Sequence, residues 1–173
     1  TGKILSQEET QLRPDGVLQS YTWSQTQEGT QFSLLLADKK WVMNFNGKKA
    51  TLSLPRHPER VVPPPLLAEH LIKEWSKNEA LKELHFELLV PDRMETFSFV
   101  FQRQKASPGA TTWVLSPTNF FVKLVAGEIP FVFDEGKNLL EIQDFRPPVK
   151  FKGEEGGLKE VKTSLKFSAP LKG

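Results

Sequence analysis

The segment Asp92-Arg93-Met94-Glu95 places two carboxylates and a guanidinium inside the otherwise apolar stretch LVPDRMETFSFVFQ, residues 89–102. Two carboxylates whose pKa values are pushed apart can share acid and base roles, so this group could serve a hydrolase. The alternative is a charged hairpin turn, which Pro91 followed by Asp92 favours, and neighbouring strand positions project to opposite faces. The sequence favours the turn, and we assign no catalytic residue.

Other reactive side chains do not form a recognisable motif either. The three histidines, His57, His70 and His85, have spacings that match no compact metal-binding motif, so we expect no metal site. The chain contains no nucleophile elbow, no phosphate-binding loop and no dinucleotide fingerprint, and we expect no cofactor. A catalytic triad assembled from distant residues remains compatible with the sequence.

Aromatic side chains are the candidates for ligand binding. Phe occurs thirteen times and Tyr once, so the aromatic content serves burial more than hydrogen bonding. If the predicted sheet curls around an apolar pocket, the ligand-binding residues would be six aromatics. These are Trp23, Trp41, Trp113, Phe99, Phe120 and Phe121. The alternative, that the same rings fill a core, is favoured.

Alternating apolar and polar positions predict that most of the chain forms antiparallel strands. The pair Asn46-Gly47 predicts a hairpin turn, because both residues tolerate positive φ. The predicted strands cover residues 17–25, 32–36, 41–45, 49–54, 84–90, 95–103, 111–115, 129–133, 139–145 and 161–168. The stretch NFFVKLVAG, residues 119–127, is expected to form a further strand or a short helix.

Residues 65–76 have the pattern of one amphipathic helix. Leu67, Leu71 and Trp75 recur at helical spacing, and prolines stand at its start, where missing N–H groups cost little. A second helical turn could form at residues 78–84. The expected fold is therefore mainly β (α+β), a curved antiparallel sheet or half-barrel meander with one main helix packed on it.

Length and composition limit the organisation and the partners. A chain of 173 residues suggests a single domain, residues 1–173, with a loop at 147–158 before a last strand. The net charge of +2 is too small to favour nucleic-acid binding, and no cysteine is present. No run reaches the roughly 20 apolar residues of a membrane helix, so an integral membrane protein is not expected. The first residues, TGKILSQEET, have the pattern of an entry partway into an element, so we expect processing or trimming upstream.

The order of several segments resembles a family of exported bacterial proteins catalogued as domain-of-unknown-function family number 3108. These segments are LRPDGVLQSYTW, VVPPPLLAEHLIKEW, FELLVPDRMETFSFVFQR and TNFFVKLVAGEIPFVFDEGKNLLEIQDF. The resemblance covers residues 5–146 and is most distinctive at 89–101 and 129–145. It implies a cleaved signal peptide, a periplasmic or envelope location and further strands before Thr1, and it assigns no catalytic residue. A more distant likeness to periplasmic lipoprotein carriers implies that the sheet holds an acyl chain.

Three functions follow as expectations. The first is a non-enzymatic envelope protein that binds a lipid-like or other apolar ligand, or an envelope protein partner. The second is a structural or assembly module that pairs through exposed sheet edges. The third is a hydrolase of envelope polymers that uses Asp92 or Glu95 together with Arg93. The sequence leaves the ligand and the oligomeric state open.

Overall fold

The computed structural model describes residues 6–104, 108–119, 127–145, 151–152, 158–159 and 163–166. One α-helix, α1, covers Leu67–Lys77, and single 3-10 turns lie at Pro58–Arg60 and Pro64–Leu66. The strands are β1 (Ser6–Leu12), β2 (Leu18–Gln25), β3 (Thr30–Ala37), β4 (Lys40–Phe45), β5 (Lys48–Ser53), β6 (Val61–Val62), β7 (Glu83–Val90), β8 (Glu95–Arg103), β9 (Ala110–Pro117), β10 (Ile129–Asp134), β11 (Leu139–Phe145), β12 (Phe151–Lys152), β13 (Leu158–Lys159) and β14 (Thr163–Lys166). The fold is mainly β with one main helix, which confirms the predicted class.

The described strands form two larger sheets and one short pair. A five-stranded sheet has the order β1-β2-β3-β4-β5, and a seven-stranded sheet has the order β14-β11-β10-β9-β8-β7-β6. The five-stranded sheet is antiparallel throughout, whereas β6 pairs with β7 in parallel. Most of the predicted loop 147–158 lies outside the described residues, and β12 pairs with β13 there.

The chain divides into two compact units. The first unit comprises Thr1–Pro65, Glu87–Phe97 and Pro148–Glu160, and the second comprises Leu66–Phe86, Ser98–Pro147 and Val161–Gly173. The five-stranded sheet therefore belongs to the first unit. Helix α1 and strands β9 to β11 belong to the second.

The first unit has a core on one face of its five-stranded sheet. In β3, Phe32 and Leu34 are buried while the Leu35 side chain is exposed, as expected for a strand with one buried face. Trp41 lies in the middle of this core, and its indole N–H donates a 2.9 Å hydrogen bond to the Leu18 carbonyl. The bond satisfies the polar atom of the ring, so Trp41 can be fully buried without leaving its donor unpaired.

Two tight turns set the register of the central hairpins. Asn46 and Gly47 both have positive φ, 49° and 85°, which confirms the predicted turn between β4 and β5. Asp38 and Lys39 form the turn between β3 and β4 with φ of 47° and 60°. Because the two turns are of the same short kind, β3, β4 and β5 pair without a bulge.

In the second unit, α1 packs on strands β9 and β10. The Trp75 ring makes edge contacts with Trp113 and Phe133 at centroid distances of 5.6 and 5.8 Å. Leu71, one turn earlier, is also buried. The predicted helix and its packing on a sheet are therefore confirmed.

The second helical turn suggested for residues 78–84 does not form. Asn78 takes an extended conformation after α1, and its side-chain oxygen accepts the Ala80 N–H at 3.1 Å. This local bond competes with helical hydrogen bonding and turns the chain into β7, which begins at Glu83. The predicted strand or helix at 119–127 falls almost wholly outside the described residues.

None of the helices in the described part of the chain has the length and apolar character needed to cross a bilayer.

Candidate functional site

The charged segment Asp92–Glu95 forms the turn between β7 and β8. The Arg93 N–H donates to the Val90 carbonyl at 3.1 Å, and the Met94 N–H donates to the Pro91 carbonyl at 3.2 Å. Asp92 and Arg93 are mostly exposed and lie 3.8 Å apart as an ion pair. The turn prediction is confirmed, and these side chains do not line the cleft described below.

The three histidines lie in different surroundings. His57 and His85 are exposed, each beside a glutamate two residues away in the chain, at 3.2 and 3.6 Å. His70 is partly buried on α1, with its ring 5.7 Å from that of Phe86. Burial lowers the pKa of His70, Glu74 opposes the shift, and Lys73 and Lys77 add to it. Within the described ranges, no three potential ligands from His, Asp and Glu cluster as a metal site.

The aromatics predicted to bind a ligand are distributed over both units. Trp23 and Trp41 belong to the first unit, and Phe99 and Trp113 belong to the second. Trp41 and Trp113 are fully buried, and Phe99 is 8% exposed and stacks on Phe86. Phe120 and Phe121 lie outside the described residues. The apolar ligand site built from these six residues stays a prediction.

The first unit presents an open cleft of about 680 Å³ on its five-stranded sheet. It lies toward the end of the sheet that carries the turns β2–β3 and β4–β5. Its lining residues are Gln7, Thr22, Trp23, Ser24, Gly29, Gln31, Phe32, Ser33, Asn44, Asn46 and Gly47. Among these described residues none is charged, and most carry a hydroxyl or a carboxamide.

Strand register explains why the polar side chains converge. Thr22 pairs with Ser33, which pairs with Asn44. Two positions further along the same strands, Ser24 pairs with Gln31. Residues of one cross-strand row share a face, and so do residues two positions apart on a strand. We call this face of the five-stranded sheet the polar face. The side chains of Trp23 and Phe32 alternate to the opposite face, so these two residues contribute mainly their backbone to the cleft floor.

Two asparagines shape the end of the cleft. The Asn46 side-chain oxygen accepts the Gln31 N–H at 2.7 Å, and the Asn44 side-chain oxygen accepts the Gly47 N–H at 2.9 Å. These bonds use the side-chain oxygens to hold the turn, so the NH₂ group of each amide is not needed for it. An NH₂ group fixed in this way is a preorganised donor, because its orientation is already set before a ligand binds.

The remaining polar side chains of the cleft are available to a ligand. Within the described ranges, the side chains of Gln7, Thr22, Ser24, Gln31 and Ser33 make no hydrogen bond to the protein. Hydroxyls and carboxamides both donate and accept, so this set can match a ligand that also does both. Among the described residues that line the cleft, none is a His, Asp, Glu or Lys that could serve as a general base.

The cleft was not predicted, because the candidate residues in the sequence were aromatic or reactive and the cleft is lined mostly by neutral polar side chains. The signal was present in positions 20, 22 and 24 of β2 and 31 and 33 of β3, which are all polar and uncharged. Such a row usually indicates a solvated face. Only the pairing of the strands shows that these positions lie side by side.

A second cluster of polar and aromatic groups occurs in the second unit around Trp75. The Arg103 guanidinium lies 5.1 Å from the Trp75 ring centroid and 6.0 Å from that of Trp113. Lys137 lies 5.1 Å from the Trp75 ring and binds the Glu79 carboxylate. The Trp75 and Trp113 indole N–H groups have no acceptor among the described residues. The cluster holds the end of α1 through cation–π contacts.

Comparison of the chain with protein-family models, with curated proteins and with solved structures found no match in any of the three.

Proposed function

We propose that this protein is an exported envelope protein that works as a non-enzymatic binding module. Its polar cleft would hold an uncharged, hydroxyl-rich ligand, such as a saccharide segment of an envelope polymer. The observation that carries the proposal is the set of uncharged hydroxyl and carboxamide side chains that line one ligand-sized cleft. Ligand sites commonly have volumes of about 300–1,000 Å³, and this cleft lies within that range.

The lining discriminates between ligand classes. A phosphate or a nucleic acid needs cationic partners, and none line the described cleft. An acyl chain would remove water from the amides and hydroxyls without replacing their hydrogen bonds, which costs free energy for each group. A saccharide replaces those bonds with its own hydroxyls. This cleft therefore matches a saccharide better than the lipid-like ligand expected from the sequence.

The expected affinity is modest. Each hydrogen bond formed in exchange for one to water contributes about 0.5–1.5 kcal/mol, and the cleft is open to solvent. The envelope location rests on the resemblance to domain family 3108, and fractionation of the native host with an antibody to the protein would test it. Recovery in the cytosolic fraction would contradict the location and leave the cleft proposal intact.

Nuclear magnetic resonance titration of the full chain tests the cleft. Neutral oligosaccharides from the host envelope should shift the side-chain NH₂ signals of Gln7, Gln31, Asn44 and Asn46. A fatty acid should leave those signals unchanged. If the oligosaccharides move no cleft signal, or the fatty acid moves them instead, the saccharide proposal is wrong.

A matched pair of substitutions locates the effect. Ser33→Lys places a long cation in the middle of the cleft and should abolish the saccharide-dependent shifts. Thr51→Lys adds the same side chain to an exposed position of the polar face outside the cleft lining, and it should bind as the unmodified chain does. Equal binding by both variants would show that the ligand occupies another surface.

A further inference from the structure

The two outermost strands of the five-stranded sheet carry opposite charges. β1 contains Glu8 and Glu9, and β5 contains Lys48 and Lys49. Among the described residues, neither strand has a further strand paired to its outer side. The outer backbone N–H and C=O groups of an edge strand are a template for pairing with another chain.

The register places these charges at opposite ends of the same cross-strand rows. Glu9 pairs with Thr22, and the row continues to Lys49 through Ser33 and Asn44. The adjacent row begins at Glu8 and ends at Lys48 in the same way, through Trp23, Phe32 and Phe45. Neighbouring rows lie on opposite faces, so both faces of the sheet have an acidic end and a basic end.

We propose that β5 of one copy of this chain pairs in parallel with β1 of a second copy and so continues the sheet. β1 and β5 run in the same direction, because four antiparallel steps separate them. When the cross-strand rows of the two copies are aligned, Glu9 of the second copy lies next to Lys49 of the first on one face of the sheet. Glu8 of the second copy then lies next to Lys48 of the first on the other face. Opposite charges on neighbouring strands stabilise that register on both faces at once.

The same charges disfavour the symmetric alternatives. If β1 of one copy paired with β1 of another in antiparallel fashion over its full length, the two Glu9 residues would lie opposite each other. Their carboxylates would then repel. Pairing β5 with β5 over its full length would place Lys48 beside Ser53 and Lys49 beside Leu52, and neither lysine would meet an opposite charge. The contact is therefore head-to-tail, and such a contact extends to a chain of copies or closes into a ring.

Of the two acidic residues, Glu9 is the better position for a test. Glu8 already accepts a hydrogen bond from the Tyr21 hydroxyl at 3.2 Å, and a lysine in its place would remove that acceptor. Glu9 is exposed on the polar face, and its carboxylate contacts only the neighbouring Gln11 amide at 3.4 Å among the described groups. Lys49 is its exposed counterpart at the end of the same row.

Sedimentation velocity of the full chain over a range of concentrations, at low and at high salt, measures the association. We expect the mass to rise with concentration at low salt, and added salt to reduce the rise, because exposed charges are screened. Glu9→Lys and Lys49→Glu, each alone, place like charges at the junction. Each should weaken the association roughly two- to thirtyfold.

The complementary combinations separate charge pairing from general damage. The double variant carrying both Glu9→Lys and Lys49→Glu should associate again, and so should a mixture of the two single variants. Lys40→Glu makes the same charge reversal at an exposed position of the inner strand β4 and should leave the association unchanged. Circular dichroism of each variant verifies that it is folded.

A protein that stays monomeric at low salt and high concentration would overturn the proposal and assign these charges to the prevention of pairing. The proposal would also be wrong if both single variants associated as strongly as the unmodified chain. It would be wrong as well if neither the double variant nor the mixture recovered the association. The outcome is distinguishable from that of the saccharide titration, since the titration detects ligand contact within a single copy.

Discussion

Strands β3 and β9 bury their side chains in different ways. β3 in the first unit alternates, with Leu34 only 1% exposed and its neighbour Leu35 54% exposed. β9 in the second unit is buried on both faces, and Val114 and Leu115, at 6% and 2%, are adjacent in the chain. A strand buried on one face leaves the other face free to bind. The cleft and the two charged edge strands, β1 and β5, both belong to the sheet that contains β3.

Alanine substitutions at Leu34 and Leu35 in β3, and at Val114 and Leu115 in β9, test whether the two strands differ in burial. Their effects on the free energy of unfolding are the largest that we expect. Leu34→Ala should lower the free energy of unfolding by about 2–5 kcal/mol, because it leaves a cavity in the core. Leu35→Ala should change it by no more than about 0.5 kcal/mol. Urea denaturation followed by circular dichroism measures both.

In β9 the two neighbours should behave alike. Val114→Ala and Leu115→Ala should each cost more than about 1 kcal/mol, since both side chains lose buried contacts. If Val114→Ala proves as mild as Leu35→Ala, then β9 has a free face and the contrast with β3 is lost.

Two buried tryptophans, one in each unit, allow a finer comparison with the same substitution. Trp41→Phe leaves the buried Leu18 carbonyl without its donor, which costs about 1–3 kcal/mol in addition to the loss of ring contacts. Trp113→Phe loses comparable ring contacts but removes an N–H that has no acceptor within the described part of the chain. Trp113→Phe should therefore be the milder change in the same denaturation experiment. Equal costs would show that the Trp113 N–H is satisfied in solution.

The smallest expected effects are the responses of the two units to pH, which have opposite signs. Burial raises the pKa of Glu8 above its ordinary 4.5, while the hydrogen bond from Tyr21 opposes the shift. Its contribution to stability is full below pH 4.5 and is lost as the pH rises through the folded-state pKa. Burial lowers the pKa of His70 below its ordinary 6.5. The contribution of His70 is full above pH 6.5 and is lost as the pH falls through the folded-state pKa.

Matched neutral variants isolate these two contributions. Glu8→Gln retains an acceptor for the Tyr21 hydroxyl and should gain stability relative to the unmodified chain as the pH rises above 4.5. His70→Gln should remove the part of the stability loss that appears on acidification below pH 6.5. Thermal unfolding at a series of pH values measures both. A pH profile that neither substitution alters would show that the two groups titrate alike in the folded and unfolded chain.

Local features of this fold could be predicted from the sequence because nearby residues determine them. Asn46 and Gly47 tolerate positive φ, the apolar stripe that ends at Trp75 has helical spacing, and Pro91 opens a charged turn. The pairing of β1 with β2 and the division of strands between two sheets are non-local. Alternation indicates that a strand has two faces, but it does not say which strand lies beside it.

The candidate site could not be predicted for the same reason. Thr22, Ser33 and Asn44 are ordinary polar positions until the register sets them in one row. The aromatic candidates differ from these polar positions in that their residue type alone suggested a ligand site. Trp41 and Trp113 have the residue type of a ligand pocket, but both are fully buried in the structure, where their size contributes most to core packing. Residue type alone does not distinguish a ring that packs from a ring that binds.

The distribution of the four tryptophans has a consequence for spectroscopy. Trp23 and Trp41 belong to the first unit, and Trp75 and Trp113 belong to the second. The Trp75 and Trp113 rings are 5.6 Å apart and edge-on, close enough for their electronic transitions to couple in circular dichroism. With Trp23 and Trp41 replaced by phenylalanine, the remaining fluorescence would report on the second unit alone. The chain thus contains an intrinsic optical label for each unit, so the order in which the units unfold can be observed without any added dye.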